Sequence, residues 1–162
     1  MVILEDTRNQ VGKHRNINHP LAPLGHQVVR SKLYVGDYQR ANNGSIVVDT
    51  KKDMLELAMD LCKDHARFRR ECEKARDAGI KLVILTEEEL PKGGLANWKS
   101  PVWKTPGRGH KAGDPISQVK AETMYKQIHT MATRYGVDFR FCRRDETGKV
   151  ILDILTGGEK DA

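Results

Sequence analysis

The sequence predicts an α/β fold in which a central mixed β-sheet of about five strands is flanked by helices. Three observations favour this fold class. The length of 162 residues suits one domain, and 38% hydrophobic with 31% charged residues is typical of a folded globular chain. Short apolar runs also alternate with segments of helical period, which is the pattern of a sheet covered by helices. We therefore expect a single domain over residues 1–162.

The strands are predicted from short apolar runs that end in turn-forming or charged residues. Residues 46–48 are continuously apolar, as expected for a central strand. The spacing of the second and third predicted strands, with a Gly-Asp turn after the second, predicts a hairpin between them. The five predicted strands cover residues 2–4, 27–35, 45–49, 81–86 and 137–142.

Helices are predicted where apolar residues recur every three to four positions. A broken helix falls within residues 9–26, two helices cover residues 52–63 and 66–78, and a last helix runs from Asp145 to the glycines at 157–158. Between the two last strands, Asp114 as cap and Pro115 in the first turn predict a helix that ends at Gly136. Residues 87–115 are rich in glycine, proline and basic residues and predict a long loop.

Charge and hydropathy bear on two classes of function, the binding of a polyanion and insertion into a membrane. The net charge is +6 and the isoelectric point is about 9.3, which suits a polyanionic partner without requiring one. A membrane-spanning helix needs about 20 apolar residues, and no such run occurs in the sequence. We therefore expect a cytoplasmic protein that has no membrane partner.

Four charged residues fall where predicted strands end: Asp6, Asp37, Asp49 and Lys51. Residues two apart on a strand point to the same face, so Asp49 and Lys51 are expected side by side. A carboxylate that directly follows a buried run is costly to bury unless a cation neutralises it, and either Lys51 or a divalent ion could do so. Oxygen ligands from Asp37 and Asp49 are those that Mg²⁺ prefers.

This arrangement suits phosphodiester hydrolysis, with Lys51 orienting or deprotonating the attacking water and pairing with the scissile phosphate. Taken alone, an aspartate at a strand end is more often a turn former or a helix cap. Both interpretations stay open at the level of single residues.

Five segments together resemble a known family: VILEDTR, KLYVGDY, IVVDTKKDMLEL, ARFRREC and KLVILTE. Their order and spacing are similar to the nuclease domain of the XPF-type structure-specific endonucleases of the PD-(D/E)xK superfamily, and to its compact stand-alone versions in phages and prophages. The resemblance covers residues 2–86 and implies a restriction-endonuclease-like fold. It places the first-strand pair of the family on Asp6 and Arg8, and the Gly-Asp turn on Gly36 and Asp37.

The acidic residue and lysine of the third motif fall on Asp49 and Lys51, and the arginine of the following helix falls on Arg67. The resemblance implies catalytic roles for Asp37, Asp49 and Lys51 and a Mg²⁺ or Mn²⁺ ion held by Asp6, Asp37 and Asp49. Two positions depart from the family pattern: Thr50 replaces an arginine, and Leu55 replaces an aspartate for which Asp53 or Glu56 could substitute.

Nucleic-acid contacts are predicted from basic residues and tryptophans of the long loop, and from Arg8 and Arg67 outside it. The cations would follow a phosphate backbone while the indoles stack on exposed bases. The alternative is that one or both tryptophans fold back onto the core. The predicted contact residues are Arg8, Arg67, Trp98, Lys99, Trp103, Lys104, Arg108 and Lys111.

These observations predict a divalent-metal-dependent DNA endonuclease that cuts branched or flapped DNA in recombination, repair or phage replication. The alternative is a catalytically degenerate module that binds DNA junctions or regulates a partner. The resemblance also implies a homodimer, for which Met131 or the last helix could supply the apolar patch. No small-molecule cofactor besides the metal is expected.

Overall fold

The structure is a computed structural model that describes residues 1–100 and 119–157. Its strands are β1 (Val2–Asp6), β2 (Gln27–Ser31), β3 (Tyr38–Arg40), β4 (Asn43–Lys51), β5 (Lys81–Thr86) and β6 (Asp138–Phe141). Its helices are α1 (Arg15–Leu21), α2 (Met54–Cys62), α3 (His65–Asp77), α4 (Ala121–Tyr135) and α5 (Thr147–Leu155), with a short 3₁₀ helix at Leu95–Asn97. Within these two ranges, no helix is long and apolar enough to span a bilayer.

The strands form one mixed sheet in the order β2-β1-β3-β4-β5-β6. β4, β5 and β6 are parallel, β3 is antiparallel to both of its neighbours, and β2 pairs in parallel with β1 at the edge. The carboxyl ends of β1, β4 and β5 therefore lie at the same edge of the sheet. That edge is where the chain places its charged strand ends.

Alternating residues of the central strands separate two apolar cores. Val47 of β4 and Leu82 of β5 face a core shared with α2, α3 and α4. Val48 and Val83, the next residue in each strand, face a second core shared with α1 and α5. Because both faces are covered, β4 and β5 are buried on both sides, which explains their continuous apolar runs. The predicted α/β class with a helix-flanked sheet is confirmed.

Three details differ from the sequence-based prediction. The sheet has six strands: the second predicted strand, 27–35, is a strand only over β2, and residues 38–40, beyond its predicted end, form the additional strand β3 beside β4. The hairpin therefore joins β3 to β4, and β2 pairs with β1 instead. Helix α4 begins at Ala121, and the predicted cap at 114–115 lies outside the described residues.

Gly36 brings the turn before β3 close to β4. Its φ of +71° lies in the left-handed region, which glycine adopts without the penalty of a side chain. A Cβ atom at this position would clash with the Val47 side chain and lie 3.2 Å from the Val48 carbonyl oxygen. The next residue, Asp37, donates its backbone N–H to that same oxygen at 2.9 Å. The glycine thus allows Asp37 to reach the end of β4.

Candidate active site

A cavity of about 230 Å³ opens at the carboxyl edge of the sheet, between the ends of β1 and β4 and helices α2 and α3. Both polar and apolar groups form its wall. It brings together six of the residues predicted from sequence: Asp6, Arg8, Asp37, Asp49, Lys51 and Arg67. The wall also includes Asn9, Val35, Gly36, Asp60, Phe68, Glu71 and Leu82.

Asp49 and Lys51 extend from the same face of β4 into this cavity. The Lys51 ammonium lies 2.7 Å from Asp49 Oδ2, which confirms the side-by-side placement predicted from strand alternation. Lys51 is only 8% exposed. A buried ammonium needs compensating charge and hydrogen bonds, and one carboxylate supplies only part of them.

Asp60 of α2 provides the second carboxylate for Lys51. Its Oδ2 lies 2.7 Å from the Lys51 ammonium, and its Oδ1 accepts a hydrogen bond of 3.1 Å from the Arg67 guanidinium. Asp60 is 6% exposed, whereas the Arg67 side chain is 66% exposed. Asp60 therefore links the buried lysine to a cation at the mouth of the cavity.

The charges in the cavity shift one another's protonation equilibria. Burial raises the pKa of Asp49 to about 6, and the nearby charge of Asp37 adds to this effect while Lys51 opposes it. For Lys51, burial alone would lower the pKa, but Asp49 and Asp60 together outweigh burial and raise it above its ordinary value. Lys51 is thus a stable ammonium, and the pKa of Asp49, at about 6, lies above the ordinary range of a carboxyl group.

Asp37 is fixed by three donors from two other segments. Its Oδ2 accepts hydrogen bonds from the backbone N–H of Thr50 at 2.9 Å and from the Thr50 hydroxyl at 2.6 Å. Its Oδ1 accepts one from the Asn9 amide at 2.9 Å. Because each carboxylate oxygen has two lone pairs, these bonds orient the group and leave capacity for a further ligand. The departure at Thr50 therefore supplies a hydroxyl that positions Asp37.

Asp6 lines the same wall of the cavity, but its hydrogen-bond donors differ from those of Asp37. Its Oδ2 accepts a hydrogen bond from Arg8, and its Oδ1 accepts one of 3.0 Å from the Leu33 backbone N–H. Across the described ranges, no three histidine, cysteine, aspartate or glutamate side chains are grouped closely enough to hold a metal ion. The assignment of Asp6, Asp37 and Asp49 as a set of metal ligands therefore stays a prediction.

Neither substitute considered for the missing aspartate at Leu55 lines the cavity. Asp53 caps helix α2 by accepting a hydrogen bond of 2.8 Å from the Glu56 N–H. Glu56 accepts one of 2.7 Å from the Lys52 N–H. Both carboxylates stabilise the start of α2. The acidic residue that contacts Lys51 from this helix is Asp60, one to two turns farther along.

Sequence reasoning missed three residues of the site: Asn9, Thr50 as a positioning residue, and Asp60. A partial signal existed for Asp60. It lies in α2 beside Leu57 and Leu61, on a helix whose face packs on the sheet, and a carboxylate there requires a buried partner. No comparable pattern marks Asn9, because its contact with Asp37 spans a loop without periodicity.

The predicted nucleic-acid contacts have different locations. Arg8 and Arg67 line the cavity. Trp98 is 7% exposed and packs in the core with Met124, so its ring is not available to stack on a base, and the alternative of an indole folded onto the core applies to it. Lys99 is exposed. Trp103, Lys104, Arg108 and Lys111 lie outside the described residues.

Comparisons with known proteins agree with this architecture. The family model described as ERCC4 domain matches residues 6–154. Among solved structures, XPF from Aeropyrum pernix in complex with DNA superposes with a TM-score of 0.63 at 18% identity, covering 99% of this chain and 67% of that one. XPF from Aeropyrum pernix, without DNA in its description, gives a TM-score of 0.65 at 18% identity, covering 99% and 63%.

The chain therefore spans about two thirds of the length of these structures. No curated protein sequence shows a significant match to it. At 18% identity the structural likeness establishes the fold, and the roles of individual residues depend on the geometry of the cavity.

Proposed function

The chain belongs to the ERCC4 domain family of XPF-type nuclease domains, and we propose that it is a divalent-metal-dependent DNA endonuclease that hydrolyses phosphodiester bonds. The observation that supports this proposal is the cavity at the end of β4, where Asp37, Asp49 and Lys51 meet. A family member in the solved structures is described as a complex with DNA, which supports DNA as the substrate.

The donor set fits Mg²⁺ or Mn²⁺. Asp37 and Asp49 present carboxylate oxygens to one cavity, and Mg²⁺ is commonly held by one or two carboxylates together with water and substrate phosphates. Burial, with the nearby charge of Asp37 adding to it, raises the pKa of Asp49, so a cation in the cavity would stabilise the ionised carboxylate. Asp37 and Asp49 would hold the ion. When bound, the ion would offset charge on the phosphate and lower the pKa of the attacking water.

Lys51 is proposed to bind the scissile phosphate as an ammonium. Its raised pKa keeps it protonated at neutral pH, so it donates hydrogen bonds and charge instead of removing a proton from water. Asp60 keeps Lys51 in position and balances its charge in the substrate-free site. Phe68, whose ring lies 5.9 Å from the ammonium, forms part of the apolar wall that limits the lysine's freedom.

A cleavage assay on labelled DNA tests the proposal. We expect products in Mg²⁺ or Mn²⁺ and none in EDTA, and we expect Lys51→Met to abolish cleavage because it keeps the length of the side chain without its charge. Lys81→Met is the matched control, since Lys81 is an exposed lysine at the opposite end of the sheet. Equal activity of Lys51→Met and Lys81→Met would contradict the proposal.

We further propose that the enzyme prefers branched or flapped DNA, forms a homodimer, is located in the cytoplasm and acts in recombination, repair or phage replication. A panel of flaps, forks, four-way junctions, single strands and plain duplexes tests the preference. Light scattering during size exclusion tests the dimer. Met131 is 1% exposed and packs in the core, so it cannot supply the predicted apolar patch, and helix α5 offers only its half-buried Val150 and Leu152.

A second candidate function is a DNA-binding module with a degenerate active site. It is favoured by the absence of a three-ligand metal cluster among residues 1–100 and 119–157, and by a lysine that is already neutralised by two carboxylates. This candidate predicts DNA binding that is independent of divalent ions, with no cleavage product in Mg²⁺ or Mn²⁺.

A further inference from the structure

We propose that the face of β4 opposite the cavity carries a separate binding subsite for the phosphate backbone of DNA, formed by Lys13, Lys52 and Arg144. The inference extends the proposed nuclease function, because it assigns how DNA is held beyond the cavity. These residues surround a depression of about 70 Å³ that His14, Thr50 and Glu87 also line.

Strand alternation places this subsite on the other side of β4 from the cavity, at the same end of the strand. Asp49 and Lys51 point into the cavity, whereas Thr50 faces the other side of the strand and lines the depression. Lys52, directly after the end of β4, lines the same depression. Thr50 connects the two sides directly, because its hydroxyl also donates to Asp37. A DNA strand whose scissile phosphate lies in the cavity would therefore have neighbouring phosphates near the depression.

The charges of the depression suit an anionic backbone. Lys13 precedes α1, Lys52 follows β4 and Arg144 precedes α5, so three distant segments bring cations to one place. All three side chains are exposed, and no described residue forms an ion pair with Lys13 or Lys52. Exposed cations without a carboxylate partner are free to contact phosphate, and phosphate contacts dominate the affinity of proteins for DNA.

One carboxylate also lines the depression. The Glu87 side chain is 7% exposed and accepts hydrogen bonds from the Asn16 amide at 2.7 Å and the Thr147 hydroxyl at 3.1 Å. Its Oε2 lies 3.9 Å from Arg144 Nε. Glu87 is thus held in the floor of the depression by neutral donors and lies near Arg144 without a hydrogen bond to it. The three cations exceed its single negative charge.

The test is the salt dependence of binding to a fluorescent 20-base-pair duplex, measured in EDTA so that no cleavage occurs. The variant Lys13→Gln/Arg144→Gln should bind several-fold more weakly than the wild type. The slope of log affinity against log salt should fall by about 2, since each lost phosphate contact removes about one.

The matched control is Lys81→Gln/Arg140→Gln. It removes the same two residue types from a depression at the opposite end of the sheet, and Arg140 there lies beside an acidic residue as Arg144 does. Because both variants lose the same charge, a general effect of net charge would weaken both equally. Equal losses in the two variants, an unchanged slope in the first, or no DNA binding by the wild type would each overturn the subsite.

A small chromogenic phosphodiester separates this inference from the nuclease proposal. The substrate is too small to reach both the cavity and the depression, so Lys13→Gln/Arg144→Gln should hydrolyse it at the wild-type rate while cutting DNA more slowly at limiting concentration. If the wild type hydrolyses neither substrate, the nuclease proposal fails, and the binding slopes in EDTA still decide the subsite.

Discussion

The two sides of β4 differ in the charged groups at the end of the strand: a buried ion pair lies on one side and exposed cations lie on the other. On one face, Asp49 and Lys51 are largely buried and held within 2.7 Å of each other. On the other, Lys52 is exposed and close to further cations, with no carboxylate partner among the described residues. Buried, coupled charges have shifted pKa values and fixed positions, as catalysis requires, whereas exposed charges keep the mobility that suits backbone binding. In the proposed function, the alternation of this strand places the catalytic groups on one face and the DNA-binding groups on the other.

Asp37→Asn tests the buried side most severely. The amide would keep most of the shape and could still accept from Thr50, but it would lack the charge to hold a divalent ion. We expect cleavage to fall by about 10²–10³-fold, the size seen when one group that stabilises a transition state is lost. Binding to DNA in EDTA should stay within about threefold, since phosphate contacts elsewhere are unchanged. Loss of binding together with cleavage would contradict a division between the two faces.

Asp60→Asn tests whether the buried lysine needs its second carboxylate. We expect cleavage to fall by about 10–100-fold, as for other groups that orient a catalytic residue. The pH profile should also change, because the pKa of Lys51 falls without Asp60 and activity then declines at alkaline pH.

Asp64→Asn is the matched control for Asp60→Asn, since Asp64 also approaches Arg67, at 3.7 Å, but is 57% exposed. It should resemble the wild type. Asp60→Glu should recover part of the activity and the alkaline limb of the profile. A purely structural role for Asp60 would lower protein yield or melting temperature without altering the pH profile.

Thr50→Val tests the residue that contacts both sides of β4, since Thr50 lines the depression and its hydroxyl donates to Asp37 in the cavity. The change removes the hydroxyl that donates to Asp37 at 2.6 Å and preserves the shape of the side chain. We expect the divalent-ion concentration for half-maximal cleavage to rise by about tenfold, as for other outer ligands of metal sites. Thr50→Ser keeps the hydroxyl and should stay close to the wild type. Identical metal dependence of the two variants would show that the hydroxyl does not position Asp37.

The pH dependence of metal-free stability gives the smallest expected effect. The pKa of Asp49 is raised to about 6 from an ordinary value of 3.8, so protonation favours the folded state. This contribution is fully present below about pH 4 and is lost as pH rises through 6. Asp49→Asn should therefore gain stability relative to the wild type at pH 7.5, on the order of 1 kcal/mol, and lose that advantage at pH 4.

Thermal unfolding in EDTA at both pH values measures the effect of Asp49→Asn. Using the difference between variant and wild type removes the contribution of other carboxylates. A variant that is less stable at pH 7.5 would mean that the ion pair with Lys51 outweighs the burial of the Asp49 charge.

Local patterns were sufficient for the elements on which the site is built. The apolar run before Asp49, the alternation that pairs it with Lys51, and the end of α4 at Gly136 were all predicted and are confirmed. Each of these depends on neighbours within a few residues.

Features that depend on distant contacts were not predictable in the same way. The hairpin was misassigned because the pairing of β2 with β1 connects residues about 25 positions apart. Asp60 was missed because its role depends on how α2 packs over β4. The burial of Trp98 depends on helix α4, whose position no local pattern specifies.

Anomalous diffraction from a crystal of the protein soaked in Mn²⁺ tests whether Asp37 and Asp49 bind one ion. We expect a peak in the cavity that contacts carboxylate oxygens of both residues at about 2.1 Å, with the Lys51 ammonium beside it. A peak bound elsewhere, or an empty cavity at a Mn²⁺ concentration that supports full cleavage, would contradict the claim.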